Sequence, residues 1–350
     1  MPNANVARPL QVGSDVRSLT FSELDGDCSE VFRDTNVMLS GGMMREHDLS
    51  PGAVSHVFPL FGGVPNTEDA SHVVPGQFTE GGTVTNGSET IVLDDDLIYA
   101  LRLPFQDERL AKWSNIQPFS RECVRVVSEK IDRRAIRQIS KAARTAALAG
   151  VHGGGLLVGR TAASVYGSSG AYPATSAGAD KLTSDLSDLG LACDNANWPK
   201  EGRVAFIAPA GIQVLTKSGI ITNRDFQKDQ GQMTDIARRT VGMVEGWEIT
   251  STLHLPSTNI TTELTKYNGD YSVSGTVEQG QPAVLAMLRG DASSPSGPVK
   301  GAVGVVKAGG MRNVVYWDEN RNCWLVKCQA LLGLGKCDAW LGAEISVRST

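Results

Sequence analysis

The sequence predicts an α+β fold, and three observations lead to this prediction. Residues 117–148 have the apolar spacing of one long helix. A short apolar run at Val204–Ala208 continues through Pro209 into the helical pattern of Ala210–Lys217, which is typical of a buried strand followed by a helix. The C-terminal part alternates apolar and polar residues in runs of strand length. One long helix with strands before and after it favours α+β over a regular alternation of strands and helices.

Bulk composition limits the class of protein. The 350 residues are enough for two domains or one elaborated domain, and with 41% apolar and 20% charged residues the chain is expected to be globular. No apolar run reaches about 18 residues, so no transmembrane helix is predicted. The first residues lack the apolar centre of a secretory signal. We therefore expect a cytoplasmic chain whose six cysteines are buried, reduced thiols.

The N-terminal part is predicted to be an arm followed by a few short elements. Residues 1–27 are polar and aperiodic and are interpreted as an extended arm, and Ser29–Leu39 has the pattern of a short helix. Asn86-Gly87 is a hairpin turn signal. The residues after it alternate well enough for strands at Glu89–Leu93 and Leu97–Leu103.

Between these elements lies a long segment with little helical character. Residues 50–87 contain four prolines and seven glycines, which predicts a long β-hairpin or an extended loop. No Lys or Arg occurs from Glu46 to Leu101. Loops beyond about 12–15 residues are uncommon in compact domains and usually have a function of their own. Its apolar side chains are too few for a separate core, so we expect another surface to bury them; a mobile surface loop is the alternative.

The long helix is predicted at Gln117–Leu148, with Pro118 in its first turn and the glycines at 150 and 153–155 after its end. At about 1.5 Å per residue it would span roughly 48 Å. The helix carries eight Lys/Arg and three Asp/Glu, although the whole chain has a net charge of −5. Residues 1–116, by contrast, carry seven Lys/Arg and seventeen Asp/Glu. The sequence thus combines an acidic front with a basic helix. The apolar positions that define the core face are Phe119, Cys123, Val126, Val127, Ile131, Ala135, Ile139, Ala142, Ala143 and Ala146.

After the helix, short elements alternate with polar segments. Residues 150–178 are rich in Gly, Ser and Ala and predict a loop, followed by a helix at Asp180–Cys193. Asp235–Arg239 is a possible short helix, and residues 241–256 resemble a hairpin. Residues 257–300 are polar and rich in Thr, Ser and Gly and are interpreted as an inserted β-rich segment. The remaining residues predict strands that reach almost to the C-terminus.

Reactive groups do not converge in the sequence. No two of the five histidines are three or four residues apart, and no C-x-x-C pair occurs, so no metal site is predicted. Gly333–Cys337 is only weakly similar to a phosphate-binding loop, because it has Cys where Ser or Thr contacts magnesium. Asp94–Asp96 is interpreted as a solvated turn. We predict no catalytic, metal-binding or cofactor-binding residues, and we expect an assembly protein and not an enzyme.

The order of segments resembles that of the major capsid proteins of tailed bacteriophages and is most similar to those of short-tailed podoviruses. The resemblance is carried by Val57-Phe58-Pro59 and Pro75-Gly76 in the long loop, the strands within Ile91–Leu103, the long helix and the Val204–Pro209 step. It implies the Hong Kong 97 fold of those capsid proteins. One departure is Ala208, which stands where related chains often have an acidic residue before the proline.

The resemblance implies a division into five segments. These are an N-terminal arm and short helix at 1–49, an extension loop at 50–88, a peripheral domain at 89–179 with its spine helix at 117–148, an axial domain at 180–310 with an insertion at 257–300, and C-terminal strands at 311–350 that return to the peripheral domain.

The implied function is self-assembly into hexamers and pentamers of an icosahedral shell. The shell would enclose double-stranded phage DNA without sequence-specific binding. The implied partners are further copies of the chain, a separate scaffolding protein, a portal and a decoration protein. The implied location is the virion capsid, assembled in the host cytoplasm, with no cofactor and no membrane. Two alternatives stay open: an encapsulin-like protein shell, and a cytoplasmic hydrolase that uses the Gly-rich loop at 150–178.

The charge pattern leads to a hypothesis about the contact between subunits. The acidic loop of one subunit would lie across the basic helix of the next. The loop has no lysine, so the Lys–Asn cross-link of some members of the fold is not expected through it. The predicted contact residues are Phe58, Phe61, Glu68, Asp69, Val73, Val74 and Glu80 in the loop, and Arg125, Arg133, Arg134, Arg137 and Lys141 in the helix.

Overall fold

The fold is that of a computed structural model, which describes residues 37–40, 43–60, 86–94, 96–104, 116–148, 153–161, 176–217, 243–256, 264–265, 269–270, 281–289 and 301–348. The predicted arm at 1–27, residues 29–36 of the predicted short helix, residues 61–85 of the long loop and the possible helix at Asp235–Arg239 lie outside these residues. Within them the helices are α1 (Val37–Ser40), α2 (Ile116–Ala143), α3 (Ser176–Asn195), α4 (Pro209–Lys217) and a 3-10 turn at Ala339–Leu341.

The strands, in chain order, form several sheets. They are β1 (Arg45–Asp48), β2 (Ser55–Leu60), β3 (Gly87–Val92), β4 (Leu97–Pro104), β5 (Leu156–Thr161), β6 (Arg203–Ile207), β7 (Met243–Val244), β8 (Trp247–Ser251), β9 (Leu264–Thr265), β10 (Gly269–Asp270), β11 (Gln281–Leu288), β12 (Val303–Lys307), β13 (Arg312–Asp318), β14 (Cys323–Ala330), β15 (Leu332–Lys336) and β16 (Gly342–Arg348).

The predicted elements of the central part are confirmed with small shifts of their ends. Strand β6 and helix α4 form the strand-to-helix step, and α3 covers the predicted helix at 180–193. The hairpin in residues 241–256 is β7–β8. Its two-residue turn consists of Glu245 and Gly246, with φ angles of 51° and 79°. Two central residues with positive φ are typical of the type I′ turn that suits the twist of a hairpin.

Helix α2 ends at Ala143, five residues before the predicted end at Leu148. The cause is the Gly-rich segment that follows it. A Cβ atom on Gly155 would overlap the carbonyl oxygens of Ala142 and Ala143, and the Gly155 N–H donates a hydrogen bond to the Thr145 carbonyl at 2.9 Å. The returning chain therefore occupies the space in which the helix would continue.

Helix α2 is buried more completely than an amphipathic surface helix. Its predicted apolar face is in the core, including Cys123, Val127, Ile131 and Ile139. In addition, every residue from 135 to 140 is buried. The helix is therefore enclosed on all sides around residues 135–140.

A six-stranded sheet packs against α2, with the strand order β5-β16-β11-β6-β8-β7. Strand β11 pairs on one side with β16 and on the other with β6. The prediction that 257–300 is an insertion is therefore wrong for residues 281–288, which form an interior strand. The last strand, β16, pairs on one side with β5 of the predicted peripheral segment and on the other with β11 of the predicted axial segment, so the return of the C-terminal strands to the peripheral domain stays a prediction.

A three-stranded antiparallel sheet, called here the outer sheet, has the order β13-β14-β4. One face packs on α2, where the Cys123 thiol lies 3.8 Å from the Val326 carbonyl oxygen. The strands predicted on either side of Asp94–Asp96 both exist, but they do not pair with each other: β3 pairs with β2, and β4 pairs with β14.

The cysteines follow the prediction. Among the described residues they form no disulfide, and all five are buried; Cys28 lies outside the described residues. Burial raises the pKa of the Cys193 and Cys337 thiols to about 12 in each case, so both stay protonated. None of the described helices is long and apolar enough to cross a membrane.

Candidate functional site

The base of the long loop is a two-stranded antiparallel ladder, called here the loop ladder. It consists of β2 and β3, with pairs from Ser55↔Val92 to Leu60↔Gly87. The last pair of the ladder, Leu60↔Gly87, brings the two ends of the long loop side by side. The prediction of a long β-hairpin is thus confirmed at its base.

The loop ladder lies on a second small sheet, called here the glycine sheet, with the order β1-β12-β15. The side chains of Phe58 and Ile91 point into this contact and are 1% and 2% exposed. A Cβ atom on Gly304 would lie 3.3 Å from the Phe58 ring and 2.7 Å from Ile91 Cδ1, and one on Gly335 would lie 3.0 Å from Ile91 Cγ1. Glycine is therefore required here so that two sheets can approach closely.

Polar contacts hold the ladder to its own subunit at its edges. The Lys336 ammonium lies 3.1 Å from a Glu89 carboxylate oxygen. The Asp94 N–H donates to the Leu332 carbonyl at 3.3 Å, whereas the bond from the Leu93 N–H to the Val54 carbonyl, at 2.9 Å, extends the ladder itself. The base of the loop is thus fixed on the body of the same chain.

This geometry corrects the predicted role of Phe58. Its side chain is buried within its own subunit, so it has no surface for a neighbouring copy. The exposed apolar side chain of the ladder is its neighbour Val57, which is 49% exposed. The other predicted loop residues, namely Phe61, Glu68, Asp69, Val73, Val74 and Glu80, lie outside the described residues.

Arg125 and Arg133 lie on the exposed stripe of α2, but acidic neighbours accompany them. Arg125 forms ion pairs with Glu122 at 2.5 Å and with Glu129. Hydrogen bonding from Arg125 holds the pKa of the Glu122 carboxyl below its usual value. Arg133 is 56% exposed and lies 3.9 Å from a Glu129 oxygen. The exposed stripe is therefore of mixed charge and is not the basic surface that the count predicts.

The other predicted helix residues face inward to different degrees. Arg134 is 13% exposed and lies 3.7 Å from the buried Asp94 carboxylate. Arg137 is 6% exposed, and burial lowers the pKa of its guanidinium. Lys141 is half-buried. An intersubunit role is therefore corrected for Arg134 and Arg137, because neither offers a free face of the helix to a second copy.

Asp132 of the same helix holds two other parts of the chain. Its side chain is fully buried, and one oxygen accepts a hydrogen bond from the Met38 N–H of α1 at 3.0 Å. The other oxygen lies 2.6 Å from Nδ1 of His254, which follows β8. Helix α2 is therefore the element on which the N-terminal helix and the six-stranded sheet are aligned.

The face of the outer sheet that points away from α2 was not recognised from the sequence. On β4 the odd-numbered residues from Leu97 to Leu103 pack toward the core, so Ile98, Ala100 and Arg102 point outward. The strand registers place the outward residues of β14 and β13 beside them. The face, called here the outer face, consists of Ile98, Ala100, Arg102, Arg312, Val314, Tyr316, Leu325, Lys327 and Gln329.

The outer face combines exposed apolar surface with positive charge. Ile98 and Tyr316 are 47% and 45% exposed. Arg102 and Arg312 are exposed as well. Neither arginine forms an ion pair with any residue that the structure describes. The signal in the sequence was the alternation of β4, but its two faces could not be told apart without the pairing to β14.

The chain was compared with known proteins. No protein-family profile and no curated protein sequence matches it. Solved structures do: the capsid of Cyanophage P-SCSP1u has a TM-score of 0.69 at 20% identity, over 88% of this chain and 87% of that one. The mature capsid of bacteriophage PhiM1 has a TM-score of 0.64 at 15% identity, over 87% and 86%. A virus-like particle from Pyrococcus furiosus has a TM-score of 0.50 at 10% identity, over 93% and 98%.

These likenesses define the fold of the chain. The chain has the architecture of phage capsid proteins over most of its length, so the predicted α+β class and the Hong Kong 97 fold are confirmed. The assignment of α2 to the spine helix and of the loop ladder to the base of the extension loop stays a prediction.

Proposed function

We propose that this chain is the major capsid protein of a tailed bacteriophage, which assembles into hexamers and pentamers of an icosahedral shell around double-stranded DNA. The observation that carries the proposal is the likeness to phage capsid proteins over nearly the whole of both chains. The short-tailed type, a separate scaffolding protein, a portal, a decoration protein and assembly in the host cytoplasm are further parts of the same proposal. A net charge of −5 suits a wall that encloses DNA without binding it tightly.

Within this proposal the extension loop of one subunit lies on the outer face of the next. Residues 61–85 contain Glu68, Asp69 and Glu80 and no Lys or Arg, and their apolar residues include Phe61 and Phe78. The outer face offers the complementary surface, with Ile98 and Tyr316 exposed between basic side chains. The loop begins at a ladder that is fixed on its own subunit. A loop bound to the next subunit would therefore link the rigid parts of the two subunits.

The strength of this contact would come mainly from apolar burial. Buried apolar area contributes roughly 25 cal/mol per Å², whereas an exposed ion pair contributes about 0–1 kcal/mol. The charges instead orient the approaching loop and select the outer face. In a closed shell each subunit repeats the contact under symmetry, so modest pairwise affinities combine.

Charge reversal on the outer face tests the location of the contact. The double variant Arg102→Glu/Arg312→Glu is expected to lower the yield of shells several-fold, because two carboxylates would then face an acidic loop. The yield is measured as the particle fraction in a sucrose gradient. The folded state should be unaffected, since both side chains are exposed, and circular dichroism checks this.

The matched control reverses two charges on the exposed stripe of α2. Arg121→Glu/Arg133→Glu changes the net charge by the same amount, and both positions are exposed. We expect this variant to assemble nearly as well as the unaltered chain. A loss of assembly in the helix variant only would instead support the hypothesis that the loop crosses the helix.

The proposed function itself is tested by particle formation. The purified chain, alone or co-expressed with a scaffolding protein from the same source, is expected to form megadalton particles that electron microscopy shows as shells. A 37.2 kDa monomer that never assembles under either condition would overturn the proposal.

The two alternatives have different experimental outcomes. An encapsulin-like shell would hold a protein cargo instead of DNA, and the lower TM-score of 0.50 for the virus-like particle makes it the second candidate. The hydrolase rested on the Gly-rich loop at 150–178. In its described part, Gly155 has a packing role against the end of α2. Nuclease-protected DNA inside particles isolated from infected cells would favour the phage capsid over both.

A further inference from the structure

Two histidines join the loop ladder to the glycine sheet. His47 lies on β1 and His56 on β2, and their imidazole rings are stacked with centroids 3.5 Å apart and an interplanar angle of 17°. Both rings meet the edge-on ring of Phe58, at centroid distances of 6.5 Å and 4.6 Å. The stack thus bridges the body of the subunit and the base of the loop, beside the residue that anchors the ladder.

The charged group nearest to the stack is a cation. The Arg45 guanidinium lies on the same strand as His47, 4.9 Å from the centre of the Phe58 ring. The nearby carboxylates are already paired with lysines of the glycine sheet, Glu46 with Lys307 at 2.5 Å and Glu89 with Lys336 at 3.1 Å.

Two further titratable groups belong to these elements. Asp48 lies on β1 and is exposed. Cys337 follows β15, and its thiol accepts a long hydrogen bond from Arg45 at 3.9 Å. Burial raises the pKa of this thiol to about 12, so it brings no negative charge to the site.

We propose that the His47–His56 stack is an acid-sensitive latch that holds the loop ladder on its own subunit. While the His56 ring is uncharged, the two rings stack without charge repulsion. Protonation of His56 would place a cation about 3.5 Å from the His47 ring and near Arg45, and both neighbours disfavour that charge. The rings then separate, and the ladder loosens from the glycine sheet. Through the extension loop, acid thereby weakens the contact to the next subunit, a last step that rests on the proposed function.

The direction of the pH dependence follows from the environment of His56. Burial, then the neighbouring His47 and Arg45, hold the pKa of His56 below its usual value of 6.5. The unfolded or opened chain therefore binds more protons than the closed one. The latch contributes its full stability above pH 6.5, and this contribution is lost as the pH falls through the lowered pKa of His56.

Hydrogen–deuterium exchange of the full chain tests the latch locally. We expect peptides from 55–60 and 87–92 to exchange several-fold faster at pH 5 than at pH 7.5, after correction for the intrinsic rate. Peptides from 203–207 and 281–288 in the six-stranded sheet should keep their protection. The measurement is made on subunits whether or not they assemble, so failure of the latch and failure of the proposed shell remain distinct results.

Single substitutions assign the response to the stack. His56→Phe keeps an aromatic ring beside His47 but cannot be protonated, so its ladder should exchange equally at both pH values; His47→Phe serves the same purpose if the first variant folds poorly. Gly310→Ala, which adds a methyl group where nothing lies within 4 Å, should keep the pH response. Equal exchange at both pH values in the unaltered chain, or an undiminished response in both stack variants, would overturn the proposal.

Discussion

The Gly333→Ala chain is expected to lose about 3 kcal/mol of stability and the fixed position of its loop ladder. A Cβ atom on Gly333 would overlap the Val92 carbonyl oxygen and would lie 2.9 Å from the Val92 carbonyl carbon and 3.2 Å from Leu93 Cα. These are backbone atoms of the ladder and cannot rotate away as a side chain would. The added methyl group must therefore push β3 off the glycine sheet.

Urea unfolding of the unassembled subunit measures the loss, and limited proteolysis at residues 50–95 reports the freed ladder. Gly310→Ala is the matched control, because a Cβ atom there meets nothing within 4 Å and the residue lies just before β13. Under the proposed function Gly333→Ala also fails to form shells. Equal unfolding midpoints and equal cleavage for the two variants would show that the ladder does not depend on the close approach.

Gly333 and Gly335 illustrate what a local pattern can and cannot show. In the sequence they form a weak likeness to a phosphate-binding loop, which the absence of Ser or Thr argued against. In the structure they lie on β15 and meet β3, a strand more than two hundred residues earlier in the chain. Spacing alone identifies such glycines as unusual, but only the distant partner strand shows that they permit sheet packing.

The long helix shows the same division between local and distant information. Its existence and core face follow from steps of three and four, because these steps reflect helix geometry. The exposure and pairing of its charged side chains do not follow from the spacing. Arg134 forms an ion pair with Asp94, and Arg144 forms one with Glu344, 200 residues away. A count of basic residues therefore predicted a basic surface that the fold turns inward.

Strand β11 is not predicted from the sequence, and the reason is a different one. It is flanked by segments rich in Thr, Ser and Gly, so composition over 257–300 indicated a polar insertion. Yet Val284, Leu285, Ala286 and Met287 are fully buried between two neighbouring strands. A continuous apolar run of this length is the signal of an interior strand. The average composition of residues 257–300 hides this run, because polar residues surround it.

The Glu344→Ala chain is expected to lose about 3–5 kcal/mol, the cost of removing one partner from a buried ion pair. Glu344 on β16 is fully buried, and Arg144 just after α2 is 8% exposed in its side chain. The guanidinium donates to both carboxylate oxygens, through Nη2 at 2.6 Å and Nε at 3.0 Å, and the Ser140 hydroxyl donates a further hydrogen bond. This pair joins the end of α2 to the six-stranded sheet, and Glu344→Ala removes the carboxylate that the buried Arg144 guanidinium contacts through two of its nitrogens.

A second Arg–Glu pair supplies the control. Arg289 and Glu248 are 2.8 Å apart, but their side chains are 30% and 36% exposed. Glu248→Ala should therefore cost less than about 1 kcal/mol, as for exposed pairs in general. Thermal and urea unfolding of the two alanine variants compare the two pairs directly, and equal losses would contradict the assignment of the large effect to burial.

The double variant Glu344→Leu/Arg144→Leu separates the value of the pair from the cost of breaking it. Burial raises the pKa of the Glu344 carboxyl even though Arg144 and Ser140 lower it. The pair therefore does not fully offset the desolvation of its own carboxylate, and an apolar pair should restore most of the stability that Glu344→Ala loses. If instead the double variant is as unstable as the single one, the ion pair contributes net stability. In either case the contact between Arg144 and Glu344 joins the end of α2 to the six-stranded sheet. The position of α2 relative to the rest of the subunit therefore depends on these two side chains.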